Sequence, residues 1–113
     1  MPTVVKNLAA GTVLTTILTT YYTAGDGTSA VLKKLTLCNA TDTGGVTVTC
    51  HIVKSGDTAD QANTITSQKT IAARKTVTLF DAENHVLEAG DFIQLQASAD
   101  NTISLMISGV EVT

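Results

Sequence analysis

The side chains able to do chemistry in this 113-residue chain are few: two histidines, two cysteines and ten carboxylates spread along its length. A zinc centre needs three or four nitrogen, sulfur or carboxylate ligands brought together, often from closely spaced pairs. His51 and His85 are isolated, one inside an alternating strand pattern and one in a turn-rich stretch, and read as a polar-face and a turn histidine. Asp57 and Asp60 lie in the loop Lys54 to Asn63, with Asp26 and Asp42 in other turns. Calcium could draw oxygen ligands from such residues, but the ordered ligand series of an EF-hand is absent, so they read as solvated turn aspartates. Serine, histidine and aspartate all occur without a Gly-x-Ser-x-Gly elbow. No catalytic, cofactor-binding or metal-ligating residue is assigned, and neither enzymatic activity nor a cofactor is expected.

Asn39, Ala40 and Thr41 spell an N-glycosylation acceptor. Met1 to Ala10 has neither a basic start nor a continuous apolar run, so a chain made and kept in a cytoplasm is expected, where that acceptor stays unmodified. No uncharged apolar run approaches the roughly 20 residues that cross a bilayer, and no membrane partner is expected. Charged residues make up 15% of the chain, against roughly 25% in an average domain, and threonine, a strand former, fills much of the gap. The net charge is -3. The pair Lys33 and Lys34 reads as a solvated strand edge, and no nucleic acid partner is expected without clustered cations.

The elements that must carry these residues are strands. From Ala30 to Val53 two runs rich in β-branched and aliphatic residues flank Asn39, Asp42, Gly44 and Gly45, which predicts an antiparallel hairpin. In its second arm Val46, Val48, Cys50 and Ile52 alternate with Thr47, Thr49 and His51, the pattern of a half-buried strand. Folding the arms about the loop sets Cys50 opposite Lys33 or Leu35 and Cys38 opposite Gly45 or Thr47. Two buried free thiols are expected, because a disulfide needs the pair directly opposed. Upstream, Thr3 to Val5 fits a short edge strand and Thr12 to Tyr22 a longer one, with Ala24 to Ser29 as a turn. Downstream, Thr64 to Ile71 and Thr76 to Phe80 resume strand patterns, and Phe80 and Phe92 fit core positions. In a last predicted hairpin Ile93, Leu95 and Ala97 oppose Ile107, Leu105 and Ile103 about the loop Ala99, Asp100 and Asn101, with Asn101 left-handed. After Ile107 the apolar parity changes to Val110 and Val112, which predicts a β-bulge at Gly109 that leaves Ser108 and Glu111 unburied. Together these give an all-β fold, a single antiparallel β-sandwich or jelly-roll-like domain of about seven or eight strands over 12–113. Residues 1–11 form an N-terminal arm or edge strand.

The series TTYYTAGDGTSAVLKKLTLCNAT, VTVTCHIVKSGDTA, TIAARKTVTLF and VLEAGDFIQLQASADNTISLMISGVEVT resembles small virion proteins of tailed bacteriophages. The likeness runs from Thr19 to Thr113 and rests on turn and strand signatures; it departs from the usual pattern at Thr23 to Gly25, where a proline before the turn is typical. The resemblance implies a β-sandwich used for capsid decoration (cement) or in tail and fibre attachments. The expected function is therefore a non-enzymatic capsid decoration protein, made in the host cytoplasm and located in the virion. Its expected partners are the major capsid protein, or another virion protein, and further copies of itself, a trimer being one arrangement. A tail, neck or fibre component is the alternative within that class, and a host-surface glycan-binding module the alternative outside it. Candidate interface residues are Val4, Val5 and Leu8 of the arm, Tyr21 or Tyr22, and Asp57 and Asp60 of the long loop.

Overall fold

The computed structural model describes Thr3–Thr113, apart from the side chains of residues 10 and 81. Met1 and Pro2, the start of the expected arm, lie outside the described residues. Nine strands follow in order: β1 Thr3–Val13, β2 Thr19–Thr23, β3 Ser29–Asn39, β4 Val46–Val53, β5 Thr64–Ile71, β6 Thr76–Thr78, β7 Val86–Leu87, β8 Phe92–Ala97 and β9 Ile103–Val112. Single turns of 3-10 helix occupy Gln61–Asn63 and Phe80–Ala82. The strands form two antiparallel sheets. The first has the order β1-β9-β3-β6, with β7 sharing the free edge of β3, and the second the order β2-β8-β4-β5. Taken as one interrupted strand, β6 and β7 leave eight strands whose connections cross between sheets at every step but β4 to β5, which is jelly-roll connectivity.

Period-2 alternation sends one side of each strand into the space between the sheets. Leu32, Leu35 and Leu37 of β3 and Ile103, Leu105 and Ile107 of β9 are buried from one side. Val46, Val48 and Cys50 of β4 and Ile93, Leu95 and Ala97 of β8 are buried from the other, giving the face-to-face core of a sandwich.

Neither predicted hairpin exists. β3 and β4 belong to opposite sheets, as do β8 and β9. Leu95 pairs with Cys50 and Thr19, and Leu105 with Leu37 and Thr12. Alternation identifies which side chains point inward but not which sheet holds the strand, because both arms of a crossover bury the same parity. The loop prediction holds locally, with Asn101 at φ 59°. The expected strand Thr12 to Tyr22 is broken: β1 ends at Val13, and the chain bends to the other sheet before β2. In that crossover Thr15 Oγ1 accepts from the Ile17 N–H and Asp100 Oδ1 from the Thr16 N–H. Phe80 is 76% exposed, contrary to its expected core position. The 3-10 turn starting there breaks the strand parity, and Leu79 and Ala82 take the buried places.

The bulge expected on β9 lies on its two neighbours. β3 pairs Leu32 with Gly109 and Lys34 with Ser108, leaving Lys33 as the extra residue. β1 pairs Asn7 with Ser108 and Ala9 with Ile107, leaving Leu8 as the extra residue at the same level. A Cβ on Gly109 would overlap the Val31 carbonyl and sit 2.7 Å from Leu8 Cδ1. The missing side chain is thus the space that Leu8 fills, and β9 keeps its alternation through to its end.

Candidate functional site

Because β9 does not change parity, Val110 and Val112 point away from the core. Register places Val110 beside Val5 of β1 and Val31 of β3, and Val31 in turn beside Val86 of β7. Directly paired residues share a face with Cβ atoms about 5 Å apart. One row of valines, Val5, Val110, Val31 and Val86, therefore crosses the outer face of the first sheet. Its ends are open, Val5 at 84% and Val86 at 53% exposure, while Val31 and Val110 are half-buried by their neighbours. Met106, 53% exposed, lies further along the same face beside Thr36.

Lys33 and Lys34 stand next to this row. A bulge turns two consecutive side chains to one side, and both lysines are exposed. Lys33 Nζ lies 3.3 Å from Asn84 Oδ1. Among the described residues neither lysine has a carboxylate within ion-pair distance. The other paired positions of this parity, among them Thr3, Asn7, Val13, Ser29, Thr36, Cys38, Ser104, Ser108 and Val112, are none of them acidic.

The candidate interface residues are dispersed. Val4 and Val5 are exposed on the edge strand, whereas Leu8 belongs to the core. Tyr21 and Tyr22 are both half-buried and pack against the core. Tyr22 spans the sandwich, its hydroxyl donating to Glu111 Oε2 at 2.5 Å, and Lys6 Nζ lies 3.2 Å from Glu111 Oε1. Burial, then the bond to Glu111 and its charge, hold the Tyr22 hydroxyl protonated well above the usual phenol range. Glu111 is held below the usual carboxylate range by the bonds from Tyr22 and Lys6, against a smaller opposing effect of burial. Glu111 was expected to remain unburied; it is half-buried because it faces Tyr22. Asp57 and Asp60 are exposed, and Asp60 caps the Gln61–Asn63 turn by accepting from the Ala62 N–H.

Three polar brackets hold the loops. Asp91 is buried and accepts from the N–H groups of Ser55 and Glu88 and from Lys54 Nζ. Burial alone would raise its carboxyl, but these donors outweigh it and hold Asp91 below its ordinary value. Asn39 is fully buried; its Nδ2 donates to the Thr43 and Ile71 carbonyls, and its Oδ1 accepts from the Thr41 backbone and hydroxyl. The acceptor amide of the Asn39 triplet is therefore enclosed in the fold. His51 Nδ1 lies 3.0 Å from Asn63 Oδ1 and 3.1 Å from Thr64 Oγ1. Thr64 spends its proton on the Asp60 carbonyl, so Nδ1 is the protonated nitrogen of His51.

Among the described residues no pocket opens, and no three His, Cys, Asp or Glu side chains gather as metal ligands. No helix is long and apolar enough to cross a membrane. Cys38 and Cys50 are free, on opposite sheets; Cys50 is buried, with its thiol pushed up to about 12 by burial, whereas Cys38 is half-buried and faces outward. Protein-family models, curated proteins and solved structures were each compared with the chain, and none matches. Sequence reasoning missed Val31, Val86, Val110 and the outward lysine pair. Their signal was the parity change after Ile107, which marks an apolar outer face rather than a bulge on β9.

Proposed function

We propose that this chain is a non-enzymatic structural protein that works by association, as a capsid decoration (cement) protein of a phage head. Its partners in this reading are the major capsid protein and further copies of itself. The observation that carries association is the valine row Val5, Val110, Val31 and Val86, apolar surface on the outside of a sheet whose inner face already builds the core. Large apolar patches on soluble proteins mark interaction sites. The likeness of Thr19 to Thr113 to phage virion proteins supplies the setting. Jelly rolls serve capsids and lectins alike, so the fold is compatible with the reading without selecting it. A second reading, a glycan-binding module, is favoured by Phe80, whose ring is 76% exposed and offers a surface on which a sugar can stack.

Co-sedimentation of the purified chain with heads and, separately, tails of the phage that encodes it tests the reading. Saturable binding to heads supports decoration. Binding to tails alone supports the tail, neck or fibre alternative, and retention on immobilised glycans that is lost in Phe80→Ala supports the lectin alternative.

A further inference from the structure

We infer that the outer face of the first sheet, the valine row with Lys33 and Lys34 beside it, is the surface that docks onto a different protein. Its counterpart is a patch with an apolar centre flanked by carboxylates. This inference rests on the decoration reading for the identity of the partner, the head shell, and adds which face is used and what chemistry recognises it.

Three observations converge on the face. The row is a product of register: four strands, β1, β9, β3 and β7, each bring one valine to the same level. Packing the core does not require this, since β9 buries Ile103, Leu105 and Ile107 from its other side. The bulge at Lys33 then turns two consecutive ammonium groups to the side that holds the valines. A regular strand would have sent one of them inward, so the extra residue doubles the positive charge beside the row.

Charge selects the occupant. The chain as a whole carries a net charge of -3, yet this face bears Lys34 at a paired position and Lys33 at the bulge, and its paired positions hold no carboxylate. A second copy docked face to face would bring four lysines together with no carboxylate at the paired strand positions of either face to receive them. Like charges set against one another across an interface cost affinity and suppress that pairing. A different protein whose carboxylates meet the lysines has no such penalty. The half-buried pair Val31 and Val110 forms the centre of the patch and the lysines its rim, the usual anatomy of an interface.

The test is co-sedimentation of the full chain with heads of the encoding phage that lack it, at low and at high salt. Three variants are compared with wild type: Val31→Thr combined with Val110→Thr, Lys33→Glu combined with Lys34→Glu, and Thr49→Val combined with Gln96→Val on the opposite sheet. Circular dichroism and melting temperature establish that each is folded. The expected result is at least tenfold weaker head binding for the first two, unchanged binding for the third, and wild-type binding that weakens as salt rises. Light scattering is expected to give one and the same oligomeric state for wild type and the first two variants. Wild-type binding to heads with both sheet-one variants binding equally well overturns the inference while the decoration reading stands. Loss of self-association in Val31→Thr/Val110→Thr also overturns it, by making this face a contact between copies. No binding of wild type to heads overturns the decoration reading together with the partner named here. If the valine variant fails to fold, the lysine variant, confined to exposed side chains, decides the matter alone.

Discussion

The two sheets bury their inner faces in the same way and treat their outer faces differently. On the second sheet, Thr20, Gln94, His51 and Thr64 form one outward row, with Thr49 and Gln96 in the next. These groups serve one another: Gln94 Nε2 donates to Thr20 Oγ1, Gln96 Nε2 to the Thr16 carbonyl, and the Gln68 N–H to Thr49 Oγ1. This is the solvated side expected of an antiparallel sheet. In the equivalent place the first sheet carries valines, Met106 and two lysines that, among the described residues, have no carboxylate within ion-pair distance. Polar cross-strand pairs finish a surface that water covers. An apolar row at matched register leaves a surface whose area is still available for burial, so the two sides of the sandwich differ in what they offer to solvent.

The sharpest way to break this comparison is along β9, where inner and outer sides meet in consecutive residues. Leu105 is fully buried and Met106 is 53% exposed. Leu105→Ala is expected to cost about 2–5 kcal/mol, the range for removing a core leucine. Met106→Ala is expected to stay within about 0.5 kcal/mol, as surface changes do. Urea titration of both variants checks the pair. Similar losses for the two would mean that the outer face is part of the folding core.

Next in size is the bracket that holds the loops between β4, β7 and β8. Asp91→Ala strands the Ser55 and Glu88 N–H groups and is expected to cost about 1–3 kcal/mol. The ionised carboxylate is what these donors favour, so the folded state holds Asp91 below its ordinary value near 3.9. Its contribution is full above that value and is lost as pH falls through the lower folded value. Melting temperature followed below pH 5 should therefore fall more steeply in wild type than in Asp91→Asn. Parallel acid limbs in the two proteins would refute the bracket.

A smaller effect is expected where Tyr22 of the second sheet reaches Glu111 of the first. The phenol is held protonated above its ordinary value near 10. The stability it supplies is complete below about pH 10 and lost as pH rises through the folded value. Absorbance titration should show one phenolate forming later than an ordinary tyrosine, and that late component should vanish in Tyr22→Phe. If it survives the substitution, the delayed group is not Tyr22, and the cross-sheet contact does not control it.

How much of this was legible in the sequence depends on the range of the interaction. Alternation over Val46 to Cys50 and over Ile103 to Ile107 correctly marked the inward side chains, because parity is a property of each strand alone. Asn101 was legible for the same reason, since its left-handed backbone is set by its own loop. Sheet membership was not, because in this topology strands adjacent in sequence are mostly across the core from one another. The site suffered most. Val5, Val31, Val86 and Val110 become neighbours only through three long-range pairings, and no local pattern announces that. Of the three candidates in the arm, Val4 and Val5 are exposed, but Leu8 has its place over Gly109 in the core.

The smallest expected effect on folding is the one that sharpens the comparison most. Val5 and Val86 are the open ends of the row, at 84% and 53% exposure. Threonine keeps the β-branched shape and strand preference of valine and replaces one methyl with a hydroxyl. At positions this open the new hydroxyl meets water, so Val5→Thr and Val86→Thr are each expected to change stability by no more than about 0.5 kcal/mol. Being remote from each other along the row, they should also add with little coupling. A double variant as stable as wild type would mean that these methyl groups contribute nothing measurable to the fold, which leaves them free for the docking role proposed above. A loss of about 2 kcal/mol in urea titration would place the ends of the row inside the folding unit. The outer faces of the two sheets would then differ in composition but not in purpose.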